Sequence, residues 1–68
     1  MSDINYIIGK AYRIIVVTEN KEIEALLTHM NDEIIQFHYF DSDYEEVQPF
    51  WINRKQLDKG YFIIEKLV

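Results

Sequence analysis

The run Tyr12-Arg-Ile-Ile-Val-Val-Thr18 does most to limit what this chain can fold into. Its β-branched side chains have restricted rotamers that suit a pleated strand better than a helix. In a strand, Ile14 and Val16 point to one face and Ile15 and Val17 to the other. Apolar residues on both faces predict a strand inside a sheet, covered on each side by a helix, a curled sheet or a partner chain. The preceding Ile4, Tyr6, Ile7 and Ile8, ended by Gly9, are expected to supply part of that cover.

Size limits the rest. A chain of 68 residues can build one small core, and a single compact domain over residues 1–68 is expected. Without cysteine it has no disulfide staple and no thiolate metal site. Stability must come from apolar packing, with self-association as a further source. At 49% hydrophobic and 15% aromatic, the composition is too apolar for a disordered chain despite a net charge of -5.

The segment Asn20-Lys-Glu-Ile-Glu-Ala-Leu-Leu-Thr-His-Met-Asn31 decides the fold class. Ile23, Leu26, Leu27 and Met30 fall at i, i+3, i+4 and i+7, one stripe of a helix. Asn20 suits an N-cap, Glu22 and Glu24 suit the first turn, and Asn31 suits a left-handed C-terminal position. In the competing reading, Asn20-Lys21 and Asn31-Asp32 are turns flanking a strand that directs Ile23, Ala25 and Leu27 inward. The helix at about residues 21–30 is the preferred reading.

Downstream, Glu33 to Phe40 alternates, with Ile35, Phe37 and Tyr39 on one face and Gln36 and His38 on the other. Asp41-Ser42-Asp43 favours a turn. Glu46 to Ile52 reads as a strand that Pro49 confines to a sheet edge or a bulge. Asn53 to Gly60 reads as one helical or 3₁₀ turn, and Tyr61 to Leu67 as the last strand. The expected fold is therefore a small single-domain, β-rich α+β structure, β-α-β-β-β, with one helix on a four-stranded sheet. The alternative is an all-β, five-stranded meander curled into a small barrel. That pattern resembles SH3-like and Sm-like barrels over residues 9 to 67 on strand spacing, and no binding residue is carried over from them.

Candidate chemistry concentrates in Phe40-Asp-Ser-Asp-Tyr-Glu-Glu-Val-Gln-Pro-Phe-Trp51. Here Asp41, Asp43, Glu45 and Glu46 lie among large rings, which predicts a strongly negative, adhesive surface. Phe50 and Trp51 must face opposite ways in a strand, so at least one of them is expected outside the core. Tyr39, Tyr44, Phe50, Trp51 and the four carboxylates form the candidate partner-binding set. Asp41-x-Asp43-x-Glu45 has the alternating oxygens of a calcium loop but lacks its glycine, and Ile52 stands where the closing glutamate belongs. His29 and His38 read as surface histidines, too few for a zinc site. No nucleophile elbow or phosphate-cradling glycine run occurs, so no catalysis, metal or cofactor is expected.

A pI near 4.8 and the interrupted basic group Arg54, Lys55 and Lys59 argue against gripping a nucleic-acid backbone. No apolar run is long enough to span a membrane, and Met1-Ser2-Asp3 lacks the basic start of a signal peptide, so a cytoplasmic protein is expected. Eleven Ile beside two Ala and two Gly fit an A+T-rich gene, as in low-G+C bacteria, their phages and mobile elements. The expected function is a non-catalytic module that binds and modulates or inhibits a larger protein with a basic groove, as a phage or mobile-element inhibitor of a nucleic-acid-handling or defence factor would. The alternative is an oligomeric barrel that binds a small ligand or oligonucleotide through Tyr39, Trp51 and Arg54.

Overall fold

The computed structural model describes residues 6–67. Ile4 and Met1-Ser2-Asp3, which figure in the expectations above, lie outside the described residues. The elements are β1 (Ala11–Val16), β2 (Lys21–Met30), β3 (Ile34–Asp41), β4 (Glu46–Asn53), α1 (Arg54–Asp58) and β5 (Phe62–Lys66), with a 3₁₀ turn at Val17–Glu19. The strands form one five-stranded sheet in the order β4-β3-β2-β1-β5. Every neighbouring pair is antiparallel.

The expected helix at 21–30 is a strand, and the expected four-stranded sheet has five. The spacing misled because β2 carries a bulge. Its register with β3 shifts between Leu27 and His29, leaving Thr28 as the extra residue. Inward positions therefore run Ile23, Ala25, Leu27 and then, after a step of three, Met30. A strand period of two interrupted by one such step has helix-like spacing. The flanking asparagines serve turns instead of caps. Asn20 adopts φ 52° where the chain reverses into β2, a conformation asparagine tolerates better than most residues. The Asn31 side chain accepts hydrogen bonds from the Glu33 and Ile34 amides at 2.7 and 2.9 Å, closing the turn into β3.

One face of the sheet holds the core. Tyr12 and Ile14 of β1, Ala25 and Leu27 of β2, Ile35 and Phe37 of β3, Ile52 of β4 and Ile64 of β5 form a single buried cluster. Tyr12 and Phe37 meet edge to face, with ring centroids 6.2 Å apart. The sheet curls until its two outermost strands touch through side chains. Phe50 of β4 meets Phe62 of β5 at 5.9 Å and 83°, and Tyr39 of β3 stands on the other side of Phe50 at 6.5 Å and 82°. The single turn α1 links these edge strands. Asn53 caps it by accepting from the Lys55 amide at 2.8 Å, and Gly60 follows with φ 84°, where a side chain would be strained.

The expectation for β1 holds on one face. Ile14 and Val16 are buried, but Ile15 is half-buried and Val17 is exposed. The curled sheet covers its own concave side, and no described element covers the convex one. Tyr6 closes part of the core, its ring 5.9 Å from that of Tyr12. The Tyr12 hydroxyl accepts the Ile7 amide at 2.8 Å. Ile7 and Ile8 themselves are exposed.

Two outcomes follow. Phe37→Ala is expected to cost about 3–5 kcal/mol by opening a cavity at the centre of the cluster, and Ile35→Val about 1 kcal/mol; urea denaturation followed by far-UV circular dichroism measures both. Burial raises the Tyr6 phenol above its ordinary value of 10.0, and the positive charge of Arg54 partly opposes it. The unfolded chain then ionises first, so this stabilisation is complete below pH of about 10 and is lost as pH rises through the folded value. Tyr6→Phe should flatten the alkaline decline in stability, measured by denaturation across that range.

Candidate protein-binding surface

The β3–β4 hairpin carries the acidic, aromatic stretch. Asp41 pairs with Glu46, leaving a loop of residues 42–45. The Asp41 side chain accepts the Asp43 amide at 3.0 Å and tightens the turn. Glu45 completes the reversal at φ 55°. Asp43, Glu45 and Glu46 are exposed and Asp41 is half-buried. The ion pairs found among the described residues join Arg13 to Glu22 and Glu65, and none engages these four carboxylates. Glu46 accepts the Gln48 side-chain amide at 2.7 Å. The tip is thus a dense negative charge that no ion pair engages among the described residues, with Lys21 lining the same groove as Asp41 and Asp43.

Alternation along β3 and β4 sorts the rings by face. Tyr39 and Phe50 turn inward, half-buried, and pack on each other. Trp51 turns outward with 55% of its surface exposed, so it does not close the core. Phe40 (62% exposed) and Val47 (61% exposed) face each other across the two strands on that same outer side. Between them and Trp51 lie the paired residues His38 and Pro49, with Leu26 of β2 beside His38. Tyr44 projects from the tip, 72% exposed. The outer surface therefore joins Leu26, Phe40, Val47, Pro49 and Trp51 to the acidic tip.

Of the expected set, Asp43, Tyr44, Glu45 and Glu46 are exposed at the tip, and Trp51 is exposed farther along β4 on the outer side. Tyr39 and Asp41 border a shallow hollow with Tyr44, Glu46 and Gln48 on the inner side, and Phe50 is committed to packing. Phe40 and Val47 were missed. The signal was present: if Tyr39 points inward, Phe40 must point outward, and its cross-strand partner with it.

Comparison with known proteins finds no matching family model, curated protein or solved structure.

His29 and His38 lie on the outer face. His29 is exposed, whereas His38 is half-buried with Nδ1 2.9 Å from the Thr28 hydroxyl. That hydroxyl also lies 3.3 Å from the Gln36 carbonyl, so the bulge orients the ring. Among the described residues, no group of three or more His, Asp or Glu is placed to hold a metal ion. Arg54 is turned toward the β2–β3 connection, its Nε donating to the Asn31 carbonyl at 2.7 Å. No helix among the described residues is long and apolar enough to cross a membrane.

The opposite orientations of neighbouring rings give a direct test. Trp51→Ala should change stability by less than about 0.5 kcal/mol, while Phe50→Ala should cost about 2 kcal/mol, because only Phe50 packs against the edge strands. Paired urea melts measure the difference.

Proposed function

We propose that this chain is a non-catalytic interaction module that binds a larger protein bearing a basic surface and modulates or blocks it. The observation that carries this reading is a wide exposed apolar face, with Phe40, Val47 and Trp51, that runs into four carboxylates that no ion pair engages among the described residues. Aromatic side chains supply contact area that is desolvated on binding, and the rim charges steer and orient the partner. Carboxylates gathered on a tight hairpin resemble a row of phosphates in charge, so the groove of a nucleic-acid-handling protein is a suitable target.

The second reading is an oligomeric small barrel that binds a ligand. Its support is the strand order, with a single helical turn between β4 and β5, which is the pattern of SH3-like barrels. The stacking set proposed for it does not converge: Tyr39 faces inward, Trp51 faces outward, and Arg54 is engaged by Asn31. The interaction reading is therefore preferred.

Affinity capture from native lysate, compared between variants, tests it. The parent should retain a basic protein at low salt and release it at high salt. Combined reversal of Asp43, Glu45 and Glu46 to Lys should abolish retention and its salt dependence. Trp51→Ala should weaken retention at least about tenfold, as for an interface anchor. Retention of the same protein by all variants would overturn the proposal.

A further inference from the structure

Strands β2 and β3 part company halfway along. Their pairing runs from Met30↔Ile35 to Leu26↔His38 and stops. Yet β2 extends back to Lys21 and β3 runs on to Asp41, held by β1 and β4 respectively. A groove of about 490 Å³ occupies the fork, bordered by Glu22, Glu24, Asp41 and Asp43, which outnumber the one lining cation, Lys21, and by Ile23, Tyr39 and Phe40.

The direction of the backbone groups follows from one residue. Leu27 gives its amide to the Lys10 carbonyl at 2.9 Å, and its carbonyl accepts the Gly9 amide at 2.8 Å. Both groups of Leu27 therefore point to the β1 side. By the alternation of a strand, the amides and carbonyls of Glu24 and Glu22 point to the β3 side, beyond the end of the pairing. On β3, His38 faces β2 and so, two residues on, does Phe40. Among the described residues, Glu22, Glu24 and Phe40 have no strand partner across the fork. The result is two open strand edges that border one groove, a template for an added strand.

We propose that this fork receives an extended basic segment of a partner protein, inserted as a short strand between β2 and β3. The inference deepens the interaction reading, but it rests on the open backbone edges and not on Trp51. Because β2 and β3 are antiparallel, the inserted strand runs parallel to one and antiparallel to the other, about 4.8 Å from each. Its outward side chains lie beside Glu22, Glu24 and Phe40, which calls for Lys or Arg. Its inward side chains lie over Ile23 and Tyr39, which calls for apolar residues. Asp41 and Asp43 stand at the mouth and add to the charge complementarity. The required sequence alternates basic and apolar residues.

The test uses the full chain and a dye-labelled, capped hexapeptide, Lys-Val-Lys-Val-Lys-Val, in fluorescence anisotropy titrations. Two further peptides carry N-methyl groups on all three Lys amides or on all three Val amides. A strand between two edges uses both sets of amides, so each methylated peptide should bind at least about tenfold more weakly, having lost several backbone hydrogen bonds. A strand added to the free edge of β4 or β5 uses one set, so full affinity in either methylated peptide would overturn the proposal. Absence of binding by the parent peptide would do the same. A tenfold loss of peptide affinity in Trp51→Ala would place the peptide on the outer face and sink the fork while sparing the interaction reading. Amide NMR shifts on peptide addition should be largest at Glu22, Glu24 and Phe40.

Discussion

A single sheet has to bury itself, and everything else in this structure depends on how it does so. With 68 residues and no second layer among the described residues, the apolar side of the sheet finds cover by curling until its ends meet. The contact of Phe50 with Phe62, between the first and last strands of the order, is where that curl closes. Bulky rings bridge a gap that no backbone ladder spans among the described residues. The short α1 turn then fixes the distance between β4 and β5. The bulge at Thr28 contributes the bend in β2, since an extra residue on one strand increases local twist.

The same curl sorts the rings of β3 and β4 between the core and the solvent-facing side. Alternation assigns Tyr39 and Phe50 to the inside and Phe40 and Trp51 to the outside, so aromatic residues adjacent in sequence have unrelated roles. Inward rings hold the hairpin in place, and outward rings lie open beside its acidic tip. Curling also strains the sheet's continuity. A sheet bent this strongly does not keep β2 and β3 in register over their full length, and the fork at Glu22–Glu24 and Phe40 is the physical consequence of closing so small a core. Core formation and an opening in the backbone ladder are two results of one geometric demand.

Much of the architecture was legible in the residues, and the failures have definite causes. Ile14 and Val16 announced β1, Ile35 and Phe37 announced β3, Pro49 announced an edge strand, and Asn53 with Gly60 bracketed the helical turn. What failed was β2, where the bulge turned period two into a helical spacing and two turn asparagines resembled helix caps. Propensity could not separate these because Leu, Glu and Met sit comfortably in helices; the need of β1 for hydrogen-bonded neighbours decided it. At the candidate surface, the charge cluster and the opposed rings could be read directly. Phe40 could have been read from the alternation with Tyr39, whereas Val47 was overlooked because its place beside Phe40 depends on register, a property of two strands together. The fork was invisible for the same reason.

Pro49 gives the outer face a protection that its composition would not suggest. An exposed strand beside Phe40, Val47 and Trp51 would ordinarily invite edge-to-edge sheet growth between molecules. Pro49 pairs with His38 in the edge strand β4, and since proline has no amide to offer β3, its nitrogen belongs on the open side. A neighbouring chain that tried to extend the sheet there would meet a missing donor midway along the edge. Stickiness is thereby separated from growth at the β4 edge: side chains can be offered at high local density while the edge backbone beside them lacks a donor that an added strand would need.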